Sequence, residues 1–241
     1  MKKLIGLLLI VLMSFSLANA QTDTSDAKTK VETFVNVDLV SKYIWRGAMM
    51  ENGPNIQPIA GVTYGNLTVG CISSVSLINP FYEADLFASY LFPWVTIMVI
   101  DYYVDYTGSA NSQNYFDYSD TIMYHNFTAD LIIGNIDKFP IVLTASTIIY
   151  GGLDLGTTGN QNYTTYIELN YIQDKYEIFC GALTGSSDFY LYDKNHFGVV
   201  NIGAKLKREL NVTETFKVPV AASFIFNPEM NKFYLAFSVS F

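Results

Sequence analysis

The sequence predicts an all-β protein, a transmembrane antiparallel up-and-down β-barrel of about 12 strands, with about 10 as the lower count. Three observations predict it. The chain alternates apolar and polar residues with period two over strand-length stretches. Its composition is rich in aromatics and poor in charge. Its connections are longer after the odd strands, the third excepted, and mostly tight after the even ones.

The alternation is cleanest at Lys232 to Phe241. Phe233, Leu235, Phe237, Val239 and Phe241 fall on one face, and Lys232, Tyr234, Ala236, Ser238 and Ser240 on the other. In a barrel the apolar face meets lipid and the small, polar face lines the lumen. The terminal Phe241 resembles the end signal of bacterial outer-membrane barrels, which implies the barrel-insertion machinery as a partner. Half of all residues are hydrophobic and 15% are aromatic. Only 15% are charged, against roughly 25% in soluble domains. After the N-terminus no apolar run reaches the roughly 20 residues of a helical span. Short, half-polar spans therefore fit strands better than helices.

The first twenty residues read as an export signal. Lys2 and Lys3 precede an apolar stretch from Leu4 to Leu17, and Ala18-Asn19-Ala20 is a small-x-small cleavage site. The expected organisation is a signal peptide at 1–20, a flexible lead at 21–30 and a barrel at 31–241, placed in the outer membrane of a Gram-negative bacterium. The net charge of −8 disfavours nucleic acid as a partner. Cys71 and Cys180 fall on apolar faces of distant strands and read as small hydrophobes, not a disulfide. Two cysteines and two histidines are too few for a metal site here. No cofactor is implied.

Taken in order, the first strand runs from Val31 to about Trp45, with Thr33, Val35, Val37, Leu39, Tyr43 and Trp45 on the outward face. A loop covers Gly47 to Pro54. The second strand spans Asn55 to Tyr64; Pro58 within it lacks a ladder donor and reads as a bulge near the rim. Gly65-Asn66 is a tight turn. The third strand is Leu67 to Leu77 and the fourth Tyr82 to Phe92, with Glu83, Asp85 and Ser89 inward. Pro93-Trp94 turns the chain into the fifth strand, Val95 to Tyr106, whose Asp101, Tyr103 and Asp105 share a face. Residues 107–118 form a polar loop. The sixth strand, Ser119 to Ile133, has the least regular pattern and places His125 outward. Strands follow at Ile141 to Tyr150, Tyr163 to Gln173, Tyr176 to Thr184, Phe197 to Lys207, Thr215 to Phe226 and the terminal segment. Loops at Gly151–Asn162 and Gly185–Asn195 separate them on one side.

The first two strands carry a further pattern. Ser41-Lys42-Tyr43-Ile44-Trp45-Arg46-Gly47, then Pro54-Asn55-Ile56-Gln57-Pro58, resembles the opening of the TorF-like (Gcw-chp) group of small outer-membrane porins. There a Ser-x-Tyr-x-x-Arg-Gly segment precedes an x-x-Gln strand. Tyr64-Gly65-Asn66-Leu67-Thr68-Val69-Gly70 is similar to the Gly-rich hairpin that comes next. Cys71 departs from that group, where an aromatic-containing segment is expected. The resemblance implies an outer-membrane barrel and a pore, and no particular solute.

The expected lumen charges are acids at Glu32, Asp38, Glu83, Asp85, Asp101, Asp105, Asp130, Glu168 and Glu177, and bases at Lys42, Arg46, Lys205, Lys207 and Lys217. The acids concentrate on the fourth to sixth strands and the bases on the tenth, eleventh and first. One reading is a transverse field across a water-filled pore. The other is a lumen filled by salt-bridged side chains. The pore-lining candidates are Glu83, Asp85, Asp101, Asp105, Asp130, Glu168, Lys42, Arg46, Lys205 and Lys217. Arg46 reads foremost as an anchor for the first loop. His196 lies near Asp193, Ser186, Ser187 and Asp188 without a recognisable catalytic spacing, so no enzymatic site is expected. The function expected is passive passage of small polar solutes or ions through outer-membrane lipid. The alternative is a closed barrel that binds a partner through loops carrying Tyr115, Phe116 and Tyr118.

Overall fold

A barrel must bury every backbone polar group between strands, so its first and last strands have to meet. They do. In the computed structural model, which describes residues 30–105, 115–116, 118 and 124–241, β1 (Val31–Val40) pairs with β14 (Lys232–Ser240), Leu39 opposite Val239. Val37 and Phe241 exchange both backbone hydrogen bonds, at 3.1 and 2.9 Å. The signal at 1–20 and nearly all of the lead at 21–30 lie outside the described residues.

The ring is completed by β4 (Asn55–Tyr64), β5 (Leu67–Ser76), β6 (Tyr82–Leu91), β7 (Val95–Asp105), β8 (His125–Asn135) and β9 (Phe139–Gly151). It continues through β10 (Thr165–Ile172), β11 (Tyr176–Leu183), β12 (Gly198–Asn211) and β13 (Lys217–Asn227). Each strand lies antiparallel beside its sequence neighbour, and twelve strands close the barrel. This is the all-β, up-and-down architecture that the alternation predicts. The connections keep the predicted phase except after β13, where a longer loop is expected and a short one is found. The turns after β4, β6, β8, β10 and β12 are short and lie at one end. The longer connections lie at the other, those after β5 and β13 being short.

Outward positions carry the apolar side chains: Val35, Val62, Leu86, Leu169, Phe224 and Phe237 are exposed. Cys71 and Cys180 are free and exposed, as small outward hydrophobes. Aromatics gather at both ends of this belt. Tyr64, Phe92, Trp94, Phe139 and Tyr176 are exposed near the short turns, and Tyr150, Phe197, Phe226 and Phe233 near the long loops. Inward positions are polar or closely packed, as with Asn55, Gln57, Glu83, Thr96, Asp130 and Tyr166.

Two expectations about the first strands are corrected. The first strand ends at Val40, not near Trp45. The chain bends at Ser41-Lys42 and forms a separate hairpin of β2 (Tyr43–Trp45) and β3 (Ala48–Glu51), a two-stranded sheet apart from the wall. Tyr43 and Trp45 are therefore buried, not outward. Their alternation is real, but it faces an aromatic core. Pro58 does not make a bulge either. The β4–β5 register is the same on both sides of it, Ile56 opposite Val75 and Ile59 opposite Ile72. The ladder simply omits Gln57 and Pro58, where the missing N–H leaves no donor. The sixth predicted strand begins later than expected, at His125; residues 119–123 lie outside the described residues.

Candidate functional site in the barrel lumen

The hairpin hangs between β1 and β4 and is packed inside the barrel. Its two-residue turn is Arg46-Gly47, with φ of 50° and 82°. Positive φ at both positions is the type I′ geometry that suits the twist of a tight hairpin. Glycine is required at 47 for space as well. A Cβ there would lie 1.9 Å from the Val200 carbonyl oxygen.

Arg46 extends from this turn to the far wall. One terminal nitrogen donates to Ser146 Oγ at 2.9 Å and to the Tyr190 hydroxyl at 2.8 Å. The other lies 3.5 Å from Asp130 Oδ2. Ser146 Oγ donates to the same carboxylate at 2.5 Å. The guanidinium also sits 4.7 Å from the Trp45 ring centre and 4.8 Å from that of Tyr166. It is thus held by charge, hydrogen bonds and cation–π contact together.

A second loop enters from β11–β12. Its short 3-10 turn, Asp188–Tyr190, brings in Phe189 and Tyr190. Tyr190 stacks on Trp45 at 5.1 Å with the rings 3° apart, while Phe189 meets both Trp45 and Tyr102 edge-on. Burial raises the Tyr190 phenol above its usual range, so it stays neutral. The loop half of the lumen is therefore filled by an aromatic core with one cation at its centre. This differs from both readings of the lumen charges: the filling of the loop half is mainly aromatic, built around the buried Arg46–Asp130 ion pair.

Beneath the plug is a cavity of about 180 Å³, lined among others by Asp38, Arg46, Glu168, Glu177, Asn201 and Lys205. Glu168 accepts from the Tyr166 hydroxyl, from Asn170 at 2.9 Å and from Asn201 at 2.7 Å. Tyr166 occupies the space that Gly181 leaves open on the neighbouring strand.

The predicted charges divide by position. Glu83 and Asp85 lie inward on β6 and are buried; the Tyr103 backbone N–H donates to Asp85 Oδ1 at 3.3 Å. Asp130 and Glu168 are inward on β8 and β10, and Lys205 on β12. β6 and β12 stand six places apart in the ring of twelve, on opposite sides. Lys42 is at the bend after β1, bonded to Asn52 at 2.9 Å, and is not on the wall. Lys217 is exposed at the turn-end rim, 3.4 Å from Glu209.

Asp101 and Asp105 are the corrections. Asp101 is opposite Leu86 and Asp105 opposite Tyr82, both outward residues. They therefore share the outer face with Ile97 and Val99, outside the lumen. They are covered there. His125 Nδ1 lies 2.7 Å from Asp101, its Nε2 lies 2.7 Å from the Tyr115 carbonyl, and the Tyr118 hydroxyl donates to Asp101 at 3.3 Å. Tyr115 and Tyr118 thus pack on the wall, while Phe116 is 78% exposed. His196 is 3.4 Å from Glu229 in the loops. Among the described residues no group of three or more His, Cys, Asp or Glu side chains is placed to hold a metal ion.

No family model matches the chain, and no curated protein matches it. The resemblance to the TorF-like group therefore rests on the opening strands alone. Among solved structures the chain is similar to one described as a KdgM porin, with a TM-score of 0.44 and 10% identity over 87% of this chain and 96% of that one. A likeness of that size gives no weight to any function.

Proposed function

We propose that this chain is an exported outer-membrane channel for small polar solutes or ions, closed at its loop end by the β2–β3 hairpin. One observation carries the reading. The ring turns its apolar side chains outward, in a belt edged by aromatics at both ends, and holds Glu83, Asp85, Asp130, Glu168 and Lys205 on its inner face; Asp101 and Asp105 are the outward acids, and both are covered. A soluble barrel has the opposite need, because an exposed apolar surface of that extent is a liability in water. In hydrocarbon it is the stable arrangement. Insertion then uses the terminal strand and Phe241. Glu83, Asp85, Glu168 and Lys205 set the field that a permeating ion meets.

The filled loop half favours a second reading, a closed barrel that works through its loops. Planar-bilayer recording separates the two. The channel reading expects brief, infrequent openings from the purified chain. A protein that inserts and never conducts leaves the closed barrel. In the same recordings Asp101→Asn leaves the reversal potential unchanged, since Asp101 faces outward. A shift towards anions would return Asp101 to the conduction path.

A further inference from the structure

The cavity under the plug holds two buried polar atoms without a hydrogen-bond partner, Thr144 Oγ1 and Asn201 Oδ1. Thr144 is 2% exposed and Asn201 5%. An unpaired buried polar group is costly, so the pair calls for a ligand or water. The cavity far exceeds the ~10–15 Å³ one water needs.

The two atoms lie at the same end. Thr144 is directly opposite Glu168 across the β9–β10 ladder. Asn201 donates to Glu168 through its nitrogen, which leaves its oxygen as an acceptor. Two acceptors beside a carboxylate suit an ammonium group. Four residues further along β12, on the same inward face, is Lys205, opposite Glu177 on β11. Its ammonium suits a carboxylate. The charged lining comprises Asp38, Glu168 and Glu177 with Lys42, Lys205 and Arg46, the last already paired with Asp130. Glu168 and Lys205 lie apart along β10–β12, so a ligand with separated opposite charges finds a partner for each. Four strand residues span ~13 Å between Cα atoms. The ligand is therefore longer than a single glycine.

We propose that this cavity is a subsite for a dipeptide-sized zwitterion, its ammonium at Glu168, Asn201 and Thr144 and its carboxylate at Lys205. The subsite deepens the channel reading and rests on it for the route by which a solute reaches the lumen.

Equilibrium dialysis of the detergent-solubilised full chain tests this, with glycylglycine as the probe. N-acetylglycylglycine lacks the ammonium and glycylglycinamide lacks the carboxylate. Glycylglycine should bind saturably, and each analogue about tenfold more weakly, one charge-assisted hydrogen bond being worth that factor. Lys205→Gln should weaken glycylglycine by about the same factor and leave glycylglycinamide unchanged, while Lys205→Arg keeps most of the affinity and shows that the site tolerates substitution. Equal binding of all three probes, absence of saturable binding, or indifference to Lys205→Gln overturns the subsite. Because dialysis needs no current, the two proposals fail separately. Currents without binding sink the subsite alone, and binding without currents sinks the channel.

Discussion

Arg46→Ala turns a mostly closed barrel into a mostly open one. Arg46 is the tether between the hairpin turn and the β8–β9 wall. Its loss leaves Asp130 buried without its cation while the hairpin stays in place. Breaking one side of a buried pair costs about 3–5 kcal/mol. Expelling the hairpin lets water reach Asp130, so that cost falls on the plugged state. A shift of about 3 kcal/mol changes the open-to-closed ratio by more than about a hundredfold. Open probability in a planar bilayer measures this. The double variant Arg46→Ala with Asp130→Asn should open less than the single one, because no charge is then stranded. Equal, low open probability in all three proteins would mean that the hairpin is not the gate.

Gly47→Ala should displace the same hairpin by a different route. A left-handed backbone costs a non-glycine residue ~1–2 kcal/mol. The new methyl also meets the Val200 carbonyl at 1.9 Å, a backbone atom that has no side-chain freedom to yield. Gly159 provides the control. Its φ is +79°, but nothing lies within 4 Å of a Cβ built there. Gly159→Ala therefore carries only the backbone cost. Trp45 is the reporter, since the only other tryptophan is Trp94 and a Trp94→Phe background isolates it. Gly47→Ala should shift Trp45 emission to the red as the ring leaves its stack on Tyr190. Gly159→Ala should leave it where it is. Identical spectra for the two variants would show that the turn's fit against Val200 does not hold the plug.

The two substitutions touch what was hardest to read in the sequence. The wall was legible because lipid and lumen impose opposite demands on alternate residues, as Lys232 to Ser240 show along their whole length. Tyr43 and Trp45 continue that rhythm from β1 but serve an interior aromatic core, which asks for the same residues as lipid does. Nothing local distinguishes the two; only the turn chemistry of Arg46-Gly47 hints that the strand has already ended. Phe189 and Tyr190 sit in a loop with no periodicity, and their one signal is a cluster of aromatics, Phe189, Tyr190 and Tyr192, among polar neighbours.

Asp101 and Asp105 escape the sequence pattern for another reason. On β7 the inward residues Met98 and Ile100 are as apolar as the outward Ile97 and Val99, so hydropathy sets no phase there. Charge alone suggested the lumen. The outer face accommodates Asp101 because His125 and Tyr118 bond its carboxylate and Tyr115 packs on the His125 ring.

The two cysteines test the closed ring that everything here depends on. Cys71 on β5 and Cys180 on β11 are both outward and free, six places apart in a ring of twelve. They lie on the outer face on opposite sides of the molecule, where the proposed placement puts lipid. Each is labelled with bimane in a single-cysteine variant, and the protein is reconstituted into vesicles whose acyl chains carry bromine near the bilayer centre. Both labels should be strongly quenched relative to unbrominated lipid. Quenching at neither site, or at one alone, would contradict a barrel with hydrocarbon on every side.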